Sequence, residues 1–196
     1  MQDVMSIFLV DGVLFKVHRY FLQRESDVFR SMFSCPPTEE GPEGESDDKP
    51  IFLPEVTRLE FESLLNFFYN SLYGKPLDSL DEWISLLSIS SRYSMDGIRE
   101  RAIEEIEKSI PPMLPVSQIV LAKKHHVKTW LAPAYEALCT RKESLTVAEA
   151  EQLGLVTSIL LAGAREKLFD KELCPKCRSR PTRCSKAELV REVFSL

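Results

Sequence analysis

Near its C-terminal end the chain carries Cys174-Pro175-Lys176-Cys177, two thiols in a C-x-x-C spacing, and Cys184 adds a third. Three thiols suit a tetrahedral zinc ion if Cys139, His125 or His126 supplies the fourth ligand. The second C-x-x-C of an ordinary zinc knuckle is missing. Cys174, Cys177 and Cys184 are therefore metal candidates only, a flexible thiol-bearing tail is the preferred reading, and no cofactor is assigned. His125 and His126 are adjacent on an expected helix and point about 100° apart, so they do not ligate from one face. His18 stands where a strand passes into a helix, a place better explained by a structural hydrogen bond than by general-base chemistry. There is no G-x-S-x-G elbow, no H-E-x-x-H pair and no Walker-type loop, and Gly41 and Gly44 lie among acids that repel phosphate. No catalytic residue is assigned, and the chain is read as non-enzymatic.

Whatever positions these groups must fit in 196 residues, 44% of them hydrophobic and 28% charged, which suits one globular domain with an appendage. A net charge of -5 gives no field to attract DNA or an acidic membrane, so neither is expected as a partner. Basic residues do gather in the tail, at Lys171, Lys176, Arg178, Arg180, Arg183 and Lys186. A solvated tail is the favoured reading of that cluster. Five cysteines, an odd and unevenly spaced set, read as reduced thiols. Asp3 and Asp11 flank the first apolar stretch where a secretory signal would be basic, and the run from Ile159 to Ala164 falls far short of the roughly 18 residues of a membrane span. A cytoplasmic or nuclear protein is expected.

Two apolar runs, Ile7 to Val10 and Val13 to Val17, flank Asp11-Gly12, which favours a type I′ hairpin turn. A short helix from His18 to Gln23 and a second capped by Ser26 follow. Residues 34–50 hold six acids and no base before Lys49, a composition that predicts a flexible surface loop. Ile51-Phe52-Leu53 is strand-like and Pro54 ends it. Capping boxes at Thr57 with Glu60 and at Ser79 with Glu82 announce helices, and Asp96 is expected to cap another. Pro111, Pro112 and Pro115 mark the end of the first domain, since none fits a helix interior. Beyond them apolar spacing predicts helices near Ser117 to His125, Thr129 to Thr140, Val147 to Leu153 and Val156 to Phe169, and a last one capped by Ser185 with Glu188. Periodicity alone gives a mixed domain with a hairpin and many helices.

The spacing Phe15-x-Val17-His18-Arg19-x-x-Leu22-x-x-x-Ser26-x-x-Phe29-x-x-Met32-Phe33 resembles the opening of BTB/POZ domains, and the likeness continues through Ile51-x-Leu53-Pro54, Phe61, Leu64, Leu65, Phe68 and Tyr69. Pro133-Ala134-Tyr135-Glu136-Ala137-Leu138-Cys139-x-Arg141, Leu153-Gly154-Leu155 and Ala164-Arg165-Glu166 resemble the helical extension of an abundant set of fungal BTB/POZ proteins. The resemblance implies an α+β fold in which the N-terminal hairpin and a strand pack on a helical cluster, followed by an α-helical extension. The domains expected are 1–110 (BTB/POZ-like, with the acidic loop at 34–50), 111–170 (helical extension) and 171–196 (basic, cysteine-containing tail with one short helix).

The same resemblance implies a protein-protein interaction module or scaffold with protein partners, itself included. Family members commonly pair through the first helix, where Tyr20 and Phe21 stand beside Leu22. Many also exchange a segment before the first strand. Only a few residues precede Ile7, so a weak, concentration-dependent dimer is expected. An adaptor of a cullin-type ubiquitin ligase is the first alternative, weakened because Met32-Phe33-Ser34 puts serine where cullin-binding members often carry glutamate. A transcription-linked regulator with a zinc-binding tail is the second. Phe67, Phe68, Tyr69, Tyr73 and Trp83 exceed what one helix face can bury. The expected interaction residues are accordingly Tyr20, Phe21, Phe67, Tyr69 and Tyr73.

Overall fold

A computed structural model describes residues 4–36, 41–70, 77–169 and 183–194. The chain divides into two compact units, Met1–Pro112 and Met113–Leu196.

The first unit opens with β1 (Met5–Val10) and β2 (Val13–His18), paired antiparallel from Met5 against His18 to Val10 against Val13. Asp11 and Gly12 both have positive φ, as an I′ turn requires. β3 (Ile51–Phe52) adds to the other edge of β1 in parallel, which gives the order β2-β1-β3. Helices follow at α1 (Arg19–Glu25), α2 (Asp27–Ser34), α3 (Arg58–Asn70), α4 (Leu80–Arg92) and α5 (Asp96–Glu107). The inward face of the hairpin sends Phe8 against the rings of Phe29 and Phe61, at 6.1 and 5.6 Å, and Phe15 against Phe61 at 5.1 Å. Ser26 caps α2 by accepting from the Phe29 N–H (3.2 Å), and its hydroxyl donates to the Tyr93 carbonyl (2.6 Å), tying the start of α2 to the end of α4. The capping boxes at Thr57 and Ser79 are formed. Asp96 is the first residue of α5 and Met95 is the cap, without a side-chain bond, so the cap expected at Asp96 is corrected by one residue.

The expectation of an unpacked acidic loop is corrected over its second half. Gly44 is buried, its carbonyl accepts from the Ile7 N–H (2.8 Å) and its N–H donates to the Lys49 carbonyl (2.6 Å). Charge repulsion keeps acidic side chains in water, but it does not stop the backbone of a glycine turn from bonding to a strand edge.

The second unit contains α6 (Pro115–Lys124), a 3₁₀ turn (Lys128–Trp130), α7 (Leu131–Thr140), α8 (Val147–Leu153), α9 (Leu155–Phe169) and α10 (Arg183–Phe194). Pro115 occupies the first helical position, where its missing N–H costs nothing. Its core joins Ile119, Tyr135, Leu138, Leu153, Leu161 and Val190. The basic stretch from Lys171 to Arg180 lies outside the described residues. α10 itself packs on the second core: Val190 is buried and Phe194 stacks on Tyr135 at 3.8 Å. α10 also begins at Arg183, ahead of the cap expected at Ser185. His125 and His126 do not share a helix: His125 ends α6, buried, and His126 is exposed at φ 56°. No single helix among the described residues is long and apolar enough to cross a membrane.

Candidate interaction surface

The functional surface expected from sequence centres on α1. Its two residues at 20 and 21 meet different fates because a helix turns them about 100° apart. Phe21 goes inward. Its ring stacks on Phe68 at 5.4 Å and meets Tyr69 edge-on at 5.1 Å, which leaves it half-buried in its own domain. Tyr20 is 45% exposed. The Arg24 guanidinium lies 5.6 Å from its ring centroid, within cation–π range, and a 2.5 Å ion pair to Glu25 holds that guanidinium in place. Leu22 is fully buried and anchors the helix from below.

Tyr69 has a positioning role. Its hydroxyl accepts from the His18 backbone N–H (3.2 Å) and lies within hydrogen-bond distance, 2.7 Å, of His18 Nδ1. The bond locks the start of α1 to the end of α3, the structural hydrogen bond expected of His18. Phe67 is half-buried, its ring 6.3 Å from Phe68. Tyr73 lies outside the described residues, as do Cys174 and Cys177, and Cys184 falls on α10. The fourth-ligand candidates lie apart in character. Cys139 sits in the second core, where burial pushes its thiol up to about 11. Among the described residues no cluster of three or more His, Cys, Asp or Glu is arranged to hold a metal ion.

Two surface features escaped the sequence reading. On the outward face of the sheet, Leu9 stands between Leu14 of β2 and Phe52 of β3, the last 63% exposed, so an apolar row crosses three strands. Alternation gave the positions, but the parallel addition of β3 that aligns them is a long-range event. A cleft of about 530 Å³ is lined by Arg19, Met32, Phe33, Glu43, Glu45 and Ile51. Arg19 donates to Ser6 Oγ (2.5 Å) and lies over the Phe33 ring at 4.9 Å. Its charge is thus already engaged, and the cleft offers an apolar wall with an acidic rim.

Aromatic anchors, apolar rows and fixed rim charges are what a surface that binds other proteins offers. The BTB/POZ domain family model matches residues 3–110, more than half of the chain, and the protein belongs to that family of non-catalytic interaction modules. A search of the curated proteins finds no match.

Proposed function

We propose that the chain is a self-associating interaction module that pairs through α1, with Tyr20 as the anchor. The observation that carries this reading is the split between Tyr20 and Phe21. One ring packs on Phe68 and Tyr69 and fixes the helix, and its neighbour is left exposed with Arg24 and Glu25 beside it. A pre-ordered aromatic loses little entropy on docking and can bury a large area, while neighbouring charges discriminate among partners. A two-fold pairing would use Tyr20 of both copies, so one substitution removes two anchors. Sedimentation across a wide concentration range tests it: the wild type shifts towards dimer and Tyr20→Glu does not. A wild type that stays monomeric throughout, or a folded Tyr20→Glu protein that dimerises equally well, contradicts the reading. Phe21 is unsuitable for this test because it packs in its own domain.

The helices beyond residue 112 we read as the fungal-type extension, and the residues that carry that likeness have structural work. Gly154 turns the α8–α9 corner at φ 82°. Arg165 donates to the carbonyls of Leu138 (2.6 Å) and Lys142 (3.3 Å) at the end of α7. Arg141 forks onto Glu149 at 2.7 and 2.6 Å. A cullin adaptor is the weaker reading: Ser34 Oγ donates back to the Arg30 carbonyl (2.7 Å), so no carboxylate is presented there. A pull-down with purified cullin is expected to recover none.

A further inference from the structure

Leu114 breaks two rules of its position. It is the N-cap of α6, where Ser, Thr, Asp or Asn would accept from a free helix N–H, yet it makes no side-chain cap bond. It is also 71% exposed, so its apolar side chain adds little to any core. The neighbouring prolines have structural reasons: Pro111 and Pro112 cannot continue α5, and Pro115 opens α6. None of those reasons calls for a leucine in water at 114. The run from Pro111 to Pro115 reads Pro-Pro-Met-Leu-Pro, with Pro111, Pro112 and Leu114 exposed and Met113 half-buried.

We infer that residues 111–115 are a docking segment for a protein domain of the SH3 type, whose groove carries adjacent aromatic-walled pockets for a polyproline II strand. Proline fixes its own φ and holds the residue before it extended. Pro111 and Leu114 each precede a proline, and Leu114 has φ -62° and ψ 139°, close to the polyproline II values of about -75° and 145°. A polyproline II helix repeats after about three residues, so Pro111 and Leu114 share one edge and Pro112 and Pro115 share the next. The run thus offers two dipeptides, Pro111-Pro112 and Leu114-Pro115, one turn apart, each an apolar residue followed by proline. Two adjacent pockets accept that pattern. Pro115 belongs to α6, but the direction of its ring follows φ, which a helix and polyproline II nearly share. Because the prolines hold the run extended beforehand, docking orders little new chain. Ser109 and Ser117 flank it, so no charge adds to the contact and the affinity is modest. The segment is separate from α1 and does not depend on pairing there.

The test titrates the full chain against an array of purified SH3 domains. The wild type is expected to bind a subset of them, and Pro112→Ala should weaken that binding about tenfold or more. Leu114→Ser separates docking from folding. Serine supplies the missing cap of α6, so the melting temperature should hold or rise while binding falls by a similar factor. An array in which no domain binds the wild type overturns the inference. So does binding that survives either substitution, or a Leu114→Ser protein that melts below the wild type, because the leucine would then serve the fold.

Discussion

α4 in the first unit and α9 in the second are both apolar over much of their length, yet they end in opposite circumstances. α4 lies between α3 and α5 and buries every residue from Leu86 to Ser90. α9 has α7, α8 and α10 against one side and leaves Leu155, Val156 and Ile159 in water. The composition of a helix states how much it can bury, and its neighbours decide how much it does. The first unit is accordingly organised around a closed aromatic core with one exposed ring on α1. The second is a helical cluster fastened by side chains that bond to helix ends.

The largest expected effect tests the closed core. Phe29 is fully buried, stacked on Tyr93 at 4.7 Å and against Phe8. Phe29→Ala should cost about 3–5 kcal/mol in chemical denaturation, enough to unfold a marginal domain. A loss below about 1 kcal/mol would mean that the rings do not form one packed cluster.

Next comes the docked turn. Gly44 has φ 78°, and a Cβ there would stand 2.8 Å from Ile51 Cδ1 and 3.3 Å from Ser6 Oγ. Gly44→Ala should therefore destabilise by about 1–3 kcal/mol, more than Gly41→Ala, whose Cβ enters open space. Equal effects in thermal melts would show that the turn does not pack on β1.

These two sites also show how far the sequence could be read. Local chemistry was legible: Asp11-Gly12 makes the turn, and Thr57 and Ser79 form their capping boxes, because each signal and its response lie within four residues. The BTB/POZ likeness was legible because many matched positions fall in register. What failed depends on partners far along the chain. The stacking of Phe21 on Phe68, the bond from Ile7 to Gly44 and the stacking of Phe194 on Tyr135 leave no local pattern. Acidic composition predicted water around 34–50, and it was the uncharged backbone that made the contact.

A smaller effect probes the fastenings of the second unit. The Arg141 fork and the Thr146 N–H hold the Glu149 carboxyl down at about 2, below its ordinary value near 4.5. A depressed acid contributes stability that is fully present above its unfolded-state pKa and lost as pH falls through the folded-state value. The stability advantage of wild type over Glu149→Gln should be constant near neutrality and shrink between about pH 5 and pH 2. Because the pair is partly exposed, the advantage should be about 1 kcal/mol or less. An advantage unchanged down to pH 2 would exclude the ion pair as its source.

The exposed ring of α1 should matter least to stability and most to association. Tyr20→Glu should shift the unfolding free energy by no more than about 0.5 kcal/mol, as surface substitutions do. The most direct measurement is hydrogen–deuterium exchange along the chain at low and high protein concentration. Residues 19–25 of the wild type should gain protection as concentration rises, and the same segment in Tyr20→Glu should not. Protection that is independent of concentration in α1, or that rises equally in the variant, would contradict an α1-paired interaction module.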